Sequence, residues 1–213
     1  MRVYVTEFIG TFFLVLTIGL AVLSGTPAAP LAIGAALMGM VYMGGHISGA
    51  HYNPAVTLAV VLRGKLPAAQ LVPYWVSQLL GAVAAALVVY GLLGKTFAPE
   101  PGPNVGPMRA MLGELFFTFA LALVVLNVAT LKATAGNSYY GLAIGFTVLV
   151  GAWVAGGISG GAFNPAVGTG PTLVRALLGG GGFGHLWIFW VGPLLGAVLA
   201  VGAFRVQHGA AAD

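Results

Sequence analysis

The sequence predicts an all-α membrane protein with six transmembrane helices and two re-entrant half-helices, arranged as an inverted repeat. Three observations predict this class: the scarcity of charge, the length of the apolar runs, and a motif that occurs twice. Of 213 residues, 59% are hydrophobic and only 6% are charged, eight Lys or Arg and four Asp or Glu. Soluble domains carry about 25% charged residues and cover much of their surface with polar groups. A soluble enzyme and a nucleic-acid-binding protein are therefore both excluded.

The long apolar runs predict the membrane spans. Residues 8–62, 66–93, 115–131 and 133–174 contain no Lys, Arg, Asp or Glu. A helix needs about 20 apolar residues to cross a hydrocarbon core of about 30 Å. Divided at Gly- and Pro-containing turn segments, the runs predict six spans: Tyr4–Leu23, Leu31–Gly44, Pro67–Leu93, Met108–Leu131, Tyr139–Gly156 and His185–Val206.

Two further apolar segments are too short to cross a bilayer. Asn53–Leu62 would extend only about 15 Å as a helix at 1.5 Å per residue, and Asn164–Leu178 is similarly short. Each follows a glycine-rich stretch whose backbone polar groups cannot face lipid unpaired. We therefore expect both segments to be re-entrant half-helices that the six spans shelter from lipid.

An internal repeat relates the two halves of the chain. Gly45–Val56 and Gly156–Val167 are identical at eight of twelve positions. Two more pairs of blocks match in the same order, beginning at Glu7 and Glu114 and at Trp75 and Trp190. These blocks predict one transmembrane domain, 1–213, built from repeats of approximately 1–97 and 105–213. Each repeat has three spans, so the second enters from the opposite face, and inverted repeats place the substrate path between the halves.

Each half-helix begins with the same three residues, Asn53-Pro54-Ala55 in the first repeat and Asn164-Pro165-Ala166 in the second. Proline is tolerated in the first turn, where its missing N–H has no helical partner, and asparagine is a favoured N-cap. Two helix N-termini that meet at the midplane would each contribute about half a positive charge. We expect this region to repel cations, including hydronium, and to orient a passing water or hydroxyl oxygen toward the asparagine NH2 groups.

At these residues the sequence resembles the aquaporin, or major intrinsic protein, family over essentially the whole chain. The resemblance includes both Asn-Pro-Ala boxes, the Ser-Gly-x-x-Asn-Pro-Ala context and Gln78-x-x-Gly81. It implies a passive channel for water and small uncharged solutes, assembled as a homotetramer with one pore per subunit. It also implies that backbone carbonyls before each box line the pore, those of Gly49, Ala50, His51, Gly160, Gly161 and Ala162. No catalytic residue, cofactor or metal site is predicted, and the chain has no cysteine.

Glu7 and Glu114 are the only acids inside the predicted spans, where a bare carboxylate costs a few kcal/mol. Two interpretations are open. The carboxylates could be proton relays in a gradient-coupled secondary transporter, or they could accept hydrogen bonds from the amides of the re-entrant loops, which need such acceptors. Their equivalence in the repeat, and the resemblance, favour loop bracing.

The outer constriction departs from the family pattern. Most aquaporins have Arg directly after the second box, where this chain has Val167. Spacing from the boxes places Ile33, Ala152 and Gly161 at the other three positions. We expect a wide, apolar, uncharged constriction that passes glycerol, urea or undissociated metalloid acids, because the donors and charge of the guanidinium are missing. Two alternatives are a channel that passes solutes but little water, and a different loop register in which Arg175 fills the gap.

Two remaining patterns concern enzymatic activity and orientation. Gly157-Ile-Ser159-Gly160 matches the motif of intramembrane serine proteases, but it recurs as His46–Gly49, and a single catalytic centre would not need a copy. Positive charge is expected to concentrate on the cytoplasmic side of a membrane protein. The side of the N-terminus has five basic residues, against three on the other side. The five are Arg2, Arg63, Lys65, Lys132 and Arg205. Cytoplasmic termini are therefore expected, and the compact loops suggest a prokaryotic inner membrane.

Overall fold

The computed structural model describes residues 1–209, which form eight α-helices and two short 3-10 turns with no strand in that range. The helices are α1 (Arg2–Ser24), α2 (Ala29–Ser48), α3 (Pro54–Leu62), α4 (Leu71–Leu93), α5 (Pro107–Ala129), α6 (Tyr140–Ser159), α7 (Pro165–Leu178) and α8 (Ile188–His208). By length and composition, all of these described helices except α3 and α7 could cross a membrane. The predicted fold class is confirmed. The extreme C-terminus, predicted to be cytoplasmic, lies outside the described residues.

Helices α2 and α6 extend further toward the C-terminus than the sequence predicted. The sequence placed their ends at Gly44 and Gly156, whereas the helices continue to Ser48 and Ser159. Within a membrane, a helix that stopped earlier would leave backbone groups unpaired. Each helix instead ends where the next glycine, Gly49 or Gly160, turns into the left-handed conformation with φ of 84° and 94°.

Small residues allow the helices to pack at backbone contact. A Cβ built on Gly81 of α4 would lie 2.5 Å from the carbonyl oxygen of Phe8, and one on Gly196 of α8 would lie 2.4 Å from that of Leu115. These are equivalent contacts in the two repeats, between α1 and α4 and between α5 and α8. Gly34 of α2 and Gly145 of α6 approach each other in the same way and join the halves.

The outer surface of the helix bundle is apolar. Large hydrophobic side chains such as Val72, Phe116 and Trp153 are 60% exposed or more. Soluble monomers rarely present such surface over large contiguous areas, whereas a lipid bilayer solvates it. The protein is therefore an integral membrane protein.

Candidate pore

The half-helices α3 and α7 begin at equivalent asparagines. Asn53 and Asn164 have extended backbones, with φ of −156° and −160°, and each caps the helix that follows. The side-chain oxygen of Asn53 accepts the N–H of Ala55 at 2.8 Å, and that of Asn164 accepts the N–H of Ala166 at 2.9 Å. The cap fixes the orientation of each amide, because its oxygen is held against the helix.

The NH2 group of each asparagine reaches the other half of the molecule. Asn53 donates to the carbonyl of Phe163, and Asn164 donates to the carbonyl of Tyr52, both at 2.8 Å. An asparagine amide has two N–H donors, so one ties the halves together and the other remains for a solute. Both NH2 groups were expected to face the solute, and these crossing bonds were not predicted from the sequence. The symmetry of the repeated boxes was the only signal that could have indicated them.

The loop before each box is held in a conformation that L-residues avoid. Left-handed backbone occurs at equivalent positions in the two loops: Gly49 and Gly160, Ala50 and Gly161, and Tyr52 and Phe163. For a residue with a side chain this conformation costs about 1–2 kcal/mol. The loops therefore depend on contacts with the surrounding spans to keep their shape.

Glu7 supplies that support to the first loop. Its side chain is fully buried, and its carboxylate accepts the N–H of His51 at 3.0 Å and that of Tyr52 at 2.7 Å. It also accepts the hydroxyl of Ser48 at 2.7 Å, and that hydroxyl in turn accepts the N–H of Ala50 at 3.1 Å. The carboxylate therefore accepts hydrogen bonds from backbone N–H groups that have no partner in regular secondary structure.

Glu114 makes the same contacts in the second loop. It is fully buried and accepts the N–H groups of Ala162, at 3.0 Å, and Phe163, together with the hydroxyl of Ser159 at 2.7 Å. The Ser159 hydroxyl also accepts the N–H of Gly161 at 3.2 Å. Neither carboxylate lines the central cavity. This geometry favours loop bracing over a proton relay, and Ser159 takes part in the bracing, since its hydroxyl links Glu114 to the N–H of Gly161.

A cavity of about 420 Å³ passes between the two halves and is lined by α1, α2, α5, α6 and both loops. Both box asparagines line it, as do all four positions predicted for the outer constriction: Ile33, Ala152, Gly161 and Val167. The predicted carbonyl-bearing residues also line it, except one: Ala50, His51, Gly160, Gly161 and Ala162. The exception, Gly49, is the C-cap of α2. Tyr52 lines the cavity as well.

Few polar side chains face this cavity. Among the lining residues of the described chain, Glu100 is the only carboxylate and His51 the only imidazole. The Nδ1 atom of His51 lies 3.2 Å from the hydroxyl of Thr57. Arg175 does not line the cavity and instead donates to Glu100. This contact does not fit the alternative register, in which Arg175 would fill the constriction.

The sequence matches the family model for the major intrinsic protein family over residues 1–204. It is 36% identical to Aquaporin Z of Rhodopseudomonas palustris, over 95% of this chain and 92% of that protein. It is 35% identical to Glycerol uptake facilitator protein-like 6 of Lactiplantibacillus plantarum, over 97% of this chain and 98% of that protein. The fold is similar to the crystal structure of the aquaglyceroporin from Plasmodium falciparum, with a TM-score of 0.86, 25% identity and coverage of 95% and 94% of the two chains.

These similarities extend over nearly the full length of the chain, so they concern the whole bundle and its cavity. The cavity between two capped half-helices and the membrane-spanning helices around it fit the same conclusion. The chain therefore belongs to the major intrinsic protein family and is a passive transmembrane channel for water and small solutes, not an enzyme.

Proposed function

We propose that this channel conducts uncharged solutes larger than water, of the class of glycerol, urea and undissociated metalloid acids. The observation that supports this is the chemistry of the outer constriction, whose four positions line the cavity: Ile33, Ala152, Gly161 and Val167. None of these side chains carries a charge or a hydrogen-bond donor. A pore selects by diameter, by the donors and acceptors that line it and by electrostatic barriers, and the side chains at this constriction contribute to its diameter alone.

Cation exclusion then depends on the centre of the pore. The N-termini of α3 and α7 meet there, and each carries a partial positive charge. The free N–H of Asn53 and of Asn164 would donate to the oxygen of a passing solute. The carbonyls of the two loops, from Ala50 and His51 and from Gly160 to Ala162, would accept its hydrogens along the path.

The proposal extends to the assembly and its orientation. We infer a homotetramer with one pore in each subunit, each subunit a single domain of two inverted repeats, because the resemblance to the family implies it and the bundle surface is apolar. Arg205 donates to the carbonyl of Leu62 at 3.0 Å, and Arg63 lies over Phe204. These arginines share one end of the bundle, which supports a cytoplasmic location for that end and for the termini, in a prokaryotic inner membrane.

The decisive experiment compares solute influx with water efflux in proteoliposomes by stopped-flow light scattering. The variant Val167→Arg restores a guanidinium at the constriction, and we expect it to suppress glycerol and urea influx while water efflux continues. Leu177→Arg is the matched control, because Leu177 lies on the same half-helix, is 72% exposed and does not line the cavity. It should leave both rates unchanged.

Two results would contradict the proposal. Wild-type vesicles that pass water but not glycerol or urea would show that another part of the pore excludes these solutes. Glycerol influx that is the same in Val167→Arg as in the wild type would show that residue 167 does not face the path. If solutes pass while water flux stays low, the apolar constriction dewets and the channel is selective for solutes.

A further inference from the structure

A segment of the α4–α5 connection lies across one end of the cavity. We call residues 96–102 the outer strap. Four consecutive members of the strap line the cavity, from Phe97 to Glu100. They lie against the start of the second loop, since a Cβ built on Gly160 would lie 2.8 Å from the backbone nitrogen of Glu100. The strap is therefore part of the wall that a solute meets at this end of the pore.

Both ends of the strap are fixed to the bundle. The ring of Phe97 is buried against α1, where a Cβ on Gly19 would lie 2.5 Å from it. At the other end, the N–H of Gly102 donates to the carbonyl of Ile158 at 3.0 Å. The residues between these anchors, from Ala98 to Pro101, have no regular secondary structure. Their position depends on other contacts.

Glu100 provides the contact in the middle of the strap. Its carboxylate accepts a hydrogen bond from Arg175 of α7 and lies within hydrogen-bond distance of His185. Burial by itself would raise the pKa of Glu100, but the hydrogen bonds and charges of Arg175 and His185 outweigh it and hold that pKa below its ordinary value. The carboxylate therefore stays ionised, and the pair is lost only when the pH falls through that lowered pKa.

We propose that the outer strap sets the size limit of the pore, and that Glu100 and Arg175 are positioning residues that hold it against α7. The inference rests on the proposed function, because it takes solutes through a constriction whose side chains select by diameter alone. The constriction positions carry small or apolar side chains, and the strap is a part of the same wall that no helix holds in place, so its position can restrict a solute. Releasing its middle would widen this end of the pore.

The first test separates solute size from pore integrity. In Glu100→Gln and Arg175→Gln proteoliposomes, we expect the permeability to glycerol and to a four-carbon polyol to rise severalfold relative to water. The charge-swapped double variant Glu100→Arg/Arg175→Glu should restore the wild-type ratio, which loss of folding would not do. Arg109→Gln, which removes an exposed cation at the start of α5, is the matched control and should leave the ratio unchanged.

The second test places the strap in the path directly, and the chain has no native cysteine to interfere. A membrane-impermeant methanethiosulfonate should block flux in Ala98→Cys. It should not do so in Lys95→Cys, whose residue is exposed just before the strap and does not line the cavity. Unblocked water flux after complete labelling of Ala98→Cys would overturn the inference, even in a channel that passes no glycerol.

One result would overturn this inference and leave the proposed function standing. The polyol-to-water permeability ratio would stay at the wild-type value in both single variants, while Val167→Arg would still suppress glycerol influx. If Arg175→Gln does not assemble, Glu100→Gln decides, because its side chain keeps the same shape.

Discussion

The two loops that precede the Asn-Pro-Ala boxes have the same backbone geometry, but the first has polar neighbours and the second has apolar ones. We call Glu7 with residues 48–52 the first brace, and Glu114 with residues 159–163 the second brace. Around the first brace the neighbouring side chains are polar, and their repeat equivalents in the second half are apolar or absent. The pairs are His51 and Ala162, Thr57 and Gly168, Tyr74 and Phe189, and Gln78 and Pro193.

The polar neighbours add hydrogen bonds that the second brace lacks. The side-chain NH2 of Gln78 donates to Glu7 at 2.8 Å and to Thr57 at 2.9 Å, and the hydroxyl of Tyr74 donates to the carbonyl of Ser48 at 2.8 Å. In the second half, the ring of Phe189 packs directly on the backbone of Gly168. One carboxylate, one serine hydroxyl and three loop N–H groups are common to both, two of the N–H groups on the carboxylate and one on the hydroxyl.

Removing the carboxylates should have the largest effect and tests whether this shared set is essential. Glu114→Ala leaves three buried donors without an acceptor and Glu7→Ala leaves four. Each unpaired donor costs about 1–3 kcal/mol, so we expect losses of at least about 3 kcal/mol, larger for Glu7. Thermal unfolding in detergent measures the loss. If either variant unfolds at the same temperature as the wild type and has the same water flux, the loop does not need the carboxylate to keep its shape.

The next largest effect should come from adding a side chain at Gly168, where the equivalent position in the first half carries Thr57. A Cβ on Gly168 would lie 2.3 Å from the Cβ of Phe189, which rotation of the ring cannot relieve. We expect Gly168→Ala to cost about 1–3 kcal/mol through overpacking. The double variant Gly168→Ala/Phe189→Ala should recover part of the clash energy in a double-mutant cycle. Purely additive losses would show that the contact is not what excludes a side chain here.

The sequence alone predicted the spans, both half-helices, the boxes and the bracing carboxylates, because each is marked by hydropathy or by repetition. It did not predict the crossing bonds from Asn53 to Phe163 and from Asn164 to Tyr52, since each joins residues far apart in the chain. It also left Glu100 unassigned. That residue belongs to an irregular connection with no counterpart in the repeat, and only the fold brings it beside Arg175.

Converting the first brace toward the second sharpens the comparison with a smaller change. Gln78→Met keeps much of the side-chain volume but removes the donor to Glu7 and to Thr57. The carboxylate then keeps the three acceptor contacts that Glu114 has. We expect a loss of about 1–2 kcal/mol with water flux unchanged, measured by thermal unfolding and stopped flow. A loss of stability as large as that of Glu7→Ala would mean that the first loop requires its polar surroundings.

The smallest effect should appear where the braces differ by a single methyl group. Ala50 has φ of 51° and its equivalent Gly161 has φ of 67°, so only the first loop carries left-handed strain at this position. Ala50→Gly relieves about 1 kcal/mol of strain but loosens the unfolded chain, and we expect a gain below about 1 kcal/mol. Gly161→Ala adds the strain and brings its Cβ to 3.2 Å from the Cα of Gly156. The two variants should therefore shift the unfolding temperature in opposite directions, and shifts of the same sign would show that the loops are not equivalent under strain.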